Sequence, residues 1–366
     1  MKIFFLTEMF SGCFKWRAAV PAKYLRRRGH NIQLFADQLE TYETPDVLVI
    51  RTHYPGIEPL IAWCKSKAIR VVYDTDDALD LVPKENINYW NLQKRMRSYH
   101  YLLETADVVT TTTPVLAAHL RERNPNVVTL PNSVDPEMWT VVPRSRPTRV
   151  GWTGSATHFH DLLVALDAIR ELQKRHTFTF VLQGLCQQED PRLFYDDLAA
   201  RYDKAFSDSV LGKSMKHFLD KLARMSYEFH PMVSFDRHGQ KVCDLALDIG
   251  IAPLVNDRFN SHKSCVKYYE YAMAGAVTLA SHVLPYSHEV PTTAKNNRES
   301  WIHKLEMLLT SDRERLWLQE RAWVLEHRNM ERNVALWEHA YRGDVQDQTA
   351  SVSHEEPLDA RKEQVL

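Results

Sequence analysis

The segment from Asp248 to Ser281, DIGIAPLVNDRFNSHKSCVKYYEYAMAGAVTLAS, constrains the fold more than any other part of this chain. An apolar run with Ile249, Ile251 and Ala252 passes through Pro253 into a polar loop, then a helical pattern, then Gly275 and a second apolar run. Two short buried strands flanking a helix read as a βαβ unit, because parallel strands need a crossover of this length. The start of such a helix offers backbone N–H groups without intrahelical acceptors, which makes it an anion site. Lys263, Lys267 and Glu270 fall four and three residues apart, which predicts one helix face with two cations and an acid. That mixture suits a nucleotide diphosphate with its ribose attached. A solvated face with ordinary ion pairs is the bland alternative. The adjoining apolar strand and glycine favour the functional reading.

At 366 residues the chain exceeds what one hydrophobic core usually serves, so two domains are expected. Apolar runs alternate with helical patterns from the start: KIFFL, a helix near Arg17 to Arg28, IQLFA, DVLVI, a helix near Ile57 to Ser66, and RVVYD. A long helix near Tyr89 to Glu104, DVVTTTT, a short helix from Pro114 and VVTLP follow. This alternation predicts a doubly wound parallel sheet over residues 1–140, with ligands beyond its strand C-termini. The segment PNSVDPEMWTVVPRSRPT, with four prolines and no periodicity, reads as a linker. A second α/β domain over 141–325 then contains RVGWTG, a helix near Asp161 to Lys174, TFTFVLQG, a helical insertion over 186–228, the strand PMVSF and the Asp248 to Ser281 unit. Closing helices are expected near Arg298 to Leu309 and Arg313 to Tyr341, with 326–342 crossing back to the first domain. Residues 343–366 have almost no apolar content and read as a disordered tail.

A formal net charge of −1 supplies no global pull toward nucleic acid or an anionic membrane, so partners have to be argued from sites. The five cysteines are scattered and form no CxxC pair, which argues against a disulfide framework or a zinc site and fits a reducing, cytoplasmic setting. MKIFFLTEMF reads as a first strand rather than a signal peptide, and no stretch approaches the roughly 18 apolar residues of a membrane span.

Other candidates sit at strand ends. Gly154, Ser155, Thr157 and His158 follow a strand and open a helix, so the hydroxyls serve either as caps or as phosphate ligands. His158 and His160 are two apart and point away from each other, which disfavours a metal pair. Asp74, Asp76 and Asp77 crowd like charges at a strand end, where they line the acceptor side or cap the next helix. Thr112 and Thr113 lie near the same edge. Lys23 and Arg26 to Arg28 form a basic helix end that reads first as surface, with a polyanionic acceptor or lipid headgroup as the alternative. Trp301, Trp317, Trp323 and Trp337 read as core rather than interface.

The Asp248 to Ser281 segment resembles the donor-site signature of GT-B glycosyltransferases, in the family-4-like pattern D-I-x-x-A-P-L, F-N, K-S-x-x-K-x-x-E-Y-A, x-G. FFLTEMFSGCFKWRAAVPAKYLRRRGHNI, VVYDTDDALD, VTTTTPVLAAHL, VVTLPNSVD and RVGWTGSATHFHDL are similar to further segments of that family, so the resemblance spans almost all of the chain up to the tail. It implies two Rossmann-like doubly wound domains facing a cleft. It also implies that Glu270 holds ribose hydroxyls, that the helix start at Ser264, Cys265 and Val266 faces a diphosphate, and that Gly12 and Gly154 line the donor side. Arg17, Asp76 and Thr112 are placed on the acceptor side. Many relatives carry a second acid eight residues before the glutamate, where this chain has His262, and the basic pair some relatives carry early in the second domain has no counterpart. Lys263 and Lys267 must then supply most of the positive charge.

The implied activity is a metal-independent, retaining transfer of a sugar from a nucleotide diphosphate, UDP-linked in the first instance, to a hydroxyl of a saccharide, lipid-linked or other acceptor. No bound cofactor is expected. His158 and Asp77 are the candidate bases beside Lys263 and Lys267. A DNA glycosyltransferase acting on a hydroxymethylated base and a catalytically silent sugar-nucleotide binder are the rival readings, and peripheral membrane contact stays open. Donor sugar, base, acceptor and oligomeric state are not legible in these residues.

Overall fold

In the computed structural model, residues 1–9, 12–36, 38–39, 41, 43–143 and 147–344 are described, except for the side chains of 202–204. The tail expectation falls, beyond Asp344, outside them. Among the described residues, twelve strands form two six-stranded sheets. The first contains Lys2–Thr7 (β1), Asn31–Ala36 (β2), Val47–Ile50 (β3), Arg70–Asp74 (β4), Val108–Thr111 (β5) and Val127–Thr129 (β6), in the order β2-β1-β3-β4-β5-β6. The second contains Arg149–Thr153 (β7), Thr179–Gln183 (β8), Glu228–His230 (β9), Ile249–Ala252 (β10), Val277–Ser281 (β11) and Thr293–Ala294 (β12), in the order β12-β11-β10-β7-β8-β9. Every pairing is parallel. The central strands β3 and β10 are buried along their whole length, since helices cover both faces of each sheet. The α/β, doubly wound expectation therefore describes both halves.

Winding reverses between β1 and β3 in the first sheet and between β7 and β10 in the second. At such reversals adjacent loops diverge and leave a crevice beyond the strand C-termini. The second sheet's crevice lies between the loop after β7, starting at Gly154, and the loop after β10, starting at Pro253.

The last helix, Met330–Arg342, joins the first domain's core: Met330, Val334, Trp337, Ala340 and Tyr341 pack with Ile3, Phe5, Val49 and Val72. Trp337 and Tyr341 are almost fully buried. Each ring removes about 150–250 Å² from water, which at roughly 25 cal/mol per Å² contributes about 4–6 kcal/mol as an upper bound. The chain crosses between domains twice, and the crossings bond to each other: Val134 N–H donates to Arg328 O at 2.6 Å, and Met330 N–H to Val134 O at 2.9 Å.

Several local expectations shift. The helix predicted over 89–104 is two pieces, Tyr89–Gln93 and Met96–Thr105. The strand predicted at PMVSF is Glu228–His230 instead, because Pro231 has no N–H to continue the ladder, and a helix, Phe235–Leu245, follows that the sequence reading lacked. The closing helix splits into Arg313–His327 and Met330–Arg342, where Asn329 caps the new start by accepting from Glu331 N–H at 2.9 Å. The insertion is two helices, Pro191–Asp208 and Val210–Leu222. Lys263 is not on the helix with Lys267. It follows a 3₁₀ turn, Asn260–His262, in extended conformation, and the helix is Val266–Ala274. The shared-face argument holds only for Lys267 and Glu270.

Glu320 on helix Arg313–His327 is buried, and its two oxygens share one donor, Thr278 N–H, at 3.3 and 3.1 Å. Burial pushes its carboxyl up to about 8. The folded state therefore holds a proton that the unfolded chain releases, so this group's contribution to stability falls as pH rises from about 4.5 to about 8. Glu320→Gln should be more stable than the parent by about 1–3 kcal/mol at pH 8 and by much less at pH 5. Urea titrations at the two pH values check this, and equal differences at both would contradict it.

Candidate active site

The second domain's crevice is floored by glycines. Gly154 N–H donates to Gln183 O at 3.0 Å, and Gly184, at φ +91°, comes so close to Gly154 O that a Cβ there would stand 2.3 Å from it. A Cβ on Gly154 would stand 2.6 Å from the Trp152 ring and 2.7 Å from Lys267 Nζ. This approach lets Lys267, from the first turn of its helix, reach back over Trp152, 4.8 Å from the ring centroid, and donate to Thr153 O at 2.8 Å. Burial pulls its ammonium down to about 8, against the pull of Glu270 and Asp161.

Beyond Gly154 the Ser155 and Thr157 hydroxyls bond each other at 2.8 Å. His158 Nδ1 lies 2.8 Å from Asp161 Oδ2; the carboxylate accepts, which leaves Nε2 as the acceptor of a neutral imidazole. Burial pushes His158 down to about 4 despite Asp161. Asp161 also accepts from Val255 N–H at 2.8 Å and Asn260 Nδ2 at 3.1 Å, and so ties the loop after β10 to the helix after β7, Phe159–Leu172. His160 is apart from this set, 2.8 Å from Ser214.

Segment 262–264 is held by the first domain. Thr113 Oγ1 donates to His262 O at 3.1 Å, Asp77 Oδ1 accepts from Lys263 Nζ at 2.9 Å, and Asn132 Nδ2 donates to Ser264 Oγ at 2.9 Å. Burial raises the Asp77 carboxyl, opposed by Lys263, and Lys263 is raised by Asp77 against its own burial. The His262 ring is buried, 5.2 Å from His119 of the first domain, so this position serves contact between domains. The Cys265 thiol is buried against Glu289, and what Cys265 and Val266 offer the crevice is the helix start itself.

Glu270 is buried, and both of its described contacts fall on Oε1: His238 Nε2 at 3.1 Å and Lys15 Nζ at 3.9 Å. Against burial, His238, Lys15 and Lys267 bring its carboxyl down to about 2. Acceptor-side candidates have varied surroundings. Arg17 has no exposed surface: Nε and Nη2 hold Asp74 at 3.2 and 2.6 Å, and Nη1 donates to Asn132 Oδ1 at 3.2 Å. It reaches the crevice only through Asn132. Asp74 is buried with Arg17 and Arg51, which hold its carboxyl low despite burial, while Asp76 accepts from Arg51 at 3.0 Å. Thr112 is buried with an unpaired hydroxyl among the described residues. Gly12 opens the first helix facing free space. The basic helix end is largely satisfied internally, Arg27 by Glu137 at 2.9 Å and Arg28 by Glu338 at 2.7 Å. Among the described residues no three His, Cys, Asp or Glu side chains converge as a metal site, and no helix is long and apolar enough to cross a membrane.

Sequence reasoning missed Lys15, Asn132 and His238, and had Thr113 only as a residue near the cleft. Asp161 was legible as the acid of the H-x-x-D-L motif, three residues after His158; Lys15 and His238 meet Glu270 from distant elements and carry no local signal.

No protein-family model matches this chain, and no curated protein matches it in sequence. Solved structures do match in shape. An α-glucosyltransferase in complex with UDP-glucose and DNA containing an abasic site is 13% identical, with TM-score 0.63 over 93% of this chain and 99% of that one. A glycosyltransferase from Rickettsia africae is 12% identical, with TM-score 0.62 over 94% and 99%. Anabaena HepE in complex with UDP and glucose is 12% identical, with TM-score 0.60 over 94% and 100%. The fold is GT-B. Likeness at these identities extends to the fold, and this chain's chemistry has to come from its own side chains.

Gly154→Ala tests the crevice floor. Its methyl has to displace the Lys267 amine or the packed Trp152 ring, so the variant should lose about 1–3 kcal/mol. Unchanged thermal unfolding would show that the floor is looser than described.

Proposed function

We propose that this protein is a glycosyltransferase that moves a sugar from a nucleotide diphosphate, UDP in the first instance, to a hydroxyl acceptor with retention of anomeric configuration. The observation that carries the reading is the convergence of Gly154, Lys263, Lys267, a helix start and an ionised Glu270 at the reversal between β7 and β10, facing the strand ends of the first sheet. In it, Glu270 takes the ribose hydroxyls, and the helix start with Ser264, Lys263 and Lys267 takes the diphosphate. The shape likeness to UDP-binding glycosyltransferases supports the same reading.

In the proposed reaction an acceptor oxygen bonds to the anomeric carbon on the face from which the phosphate departs, and the carbon–oxygen bond to the diphosphate breaks. The departing phosphate oxygen takes the acceptor proton, so no strong base is required. Positive charge already fixed beside the leaving group stabilises the charge that develops there, while the domains orient donor and acceptor. In this reading His158, neutral near pH 7 with Nε2 as acceptor, and Asp77 orient the sugar and the acceptor hydroxyl. The last helix, packed on the first domain, holds the halves in register for closure over the donor.

DNA is the second acceptor reading, motivated by Trp90, 69% exposed, close in sequence to Lys94, Arg95 and Arg97. Stacking plus cations suits a nucleic acid, although Arg95 is paired with Glu8 at 2.7 Å. Binding of DNA that weakens steeply with salt would favour it, and transfer to a saccharide or lipid-linked acceptor would favour the first. Tight donor binding with no turnover on any acceptor would leave a sugar-nucleotide binder.

Two measurements test the donor assignment. UDP affinity by calorimetry should fall as pH rises through about 8, where Lys267 loses its proton, and Lys267→Met should bind weakly without that step; the same pH profile in both proteins would remove Lys267 from the site. A diphosphate has to draw Lys263 from Asp77, so Asp77→Asn should bind UDP several-fold more tightly, whereas Lys263→Met should lose about tenfold or more. Unchanged affinity in both variants would detach this pair from the donor.

A further inference from the structure

The first helix begins at Gly12, runs through a π-helical stretch, Lys15–Ala19, and continues to Arg27. Phe14, Lys15, Trp16, Arg17 and Ala18 are buried in succession, because both domains cover this stretch: Ala18 belongs to the first domain's core and Trp16 to an apolar cluster of the second. Lys15 is 3% exposed, and among the described residues its amine has no hydrogen-bond acceptor. It lies 4.3 Å from the Trp139 ring centroid, 5.0 Å from that of Trp16 and 3.9 Å from Glu270 Oε1. Helix Phe235–Leu245 passes beside it at Gly239, where a Cβ would make an ordinary contact 3.7 Å from the amine.

A buried ammonium without an acceptor is costly. Two indole faces offset part of that cost, and Glu270 is the nearest paired acid. The pair joins the two domains, since Lys15 comes from the helix after β1 and Glu270 from the helix after β10. His238 and Lys15 both act on Oε1, so the carboxylate is held through that one oxygen from two different elements.

We propose that Lys15 is a positioning residue of the donor site, an ammonium supplied by the first domain that orients Glu270 for the vicinal hydroxyls of a ribose, so that grip on the nucleoside depends on how the domains meet. This rests on the donor reading of Glu270 given above. It adds an element that the charged residues beside the diphosphate do not provide, a contact between domains that acts on the sugar of the nucleoside and not on the phosphates.

A double-mutant cycle on the full-length protein tests it, with calorimetry of UDP and of inorganic pyrophosphate on the parent, Lys15→Met, Glu270→Gln and the double variant. Lys15→Met should weaken UDP by about tenfold when Glu270 is present and by less than about twofold when Gln replaces it, with pyrophosphate affinity unchanged in all four proteins. Equal loss in both backgrounds, a matching loss for pyrophosphate, or no loss would overturn the proposal. Should Lys15→Met fail to fold, Lys15→Gln, which keeps a polar head, replaces it in the same cycle. A parent protein that binds pyrophosphate but not UDP would instead overturn the ribose assignment of Glu270 itself.

Discussion

The structure depends on one buried guanidinium. Arg17 has no exposed surface, yet it ties the first helix to the end of β4 through Asp74 and to the chain after β6 through Leu130 O and Asn132, and it lies 4.6 Å from the Trp337 ring centroid. Four separate elements of the first domain therefore meet on one side chain. A charge so placed is tolerated only when its donors are well matched, and the planar fork of arginine satisfies a carboxylate with two bonds while leaving donors for others. Asn132 carries the arrangement to Ser264 on the opposite domain. The resemblance placed Arg17 on the acceptor side, and in the structure its side chain supports the edge of the crevice through Asn132.

The three aspartates of the DTDD stretch divide the remaining work. Asp74 is saturated by Arg17, Arg51 and Thr110, whose hydroxyl donates at 2.7 Å, and Asp76 shares Arg51. Asp77 has a lysine of the other domain as its partner. Like charges crowded at a strand end are thus offset by two buried arginines and by Lys263. The same logic operates across the crevice, where His238, Lys15 and Lys267 keep a buried glutamate charged.

Much of this architecture was legible because apolar runs of four to six residues alternate with helical patterns, and all-parallel sheets covered on both faces write that signal plainly. Gly154, Lys267 and Glu270 were legible because their motif fixes a strand, a turn and a helix in succession. Lys263 was misplaced by three residues of helix, because a 3₁₀ turn ahead of the helix has nearly the same spacing as the helix itself. The helix Phe235–Leu245 was hidden by SFDRHGQ, whose glycine and single apolar residue show little helical period. Lys15 and His238 could not be read at all: what makes them part of the site is meeting a side chain far away in sequence, and a single chain carries no record of such meetings.

The two crossings of the chain between its halves, bonded to each other at Val134, Arg328 and Met330, have a mechanical meaning. One flexible connection would act as a ball joint and let the halves drift in any direction. Two connections pinned side by side act as the barrel of a door hinge: they permit swing about one axis and resist twist. Swing of one half against the other is then the motion that this pair of connections resists least.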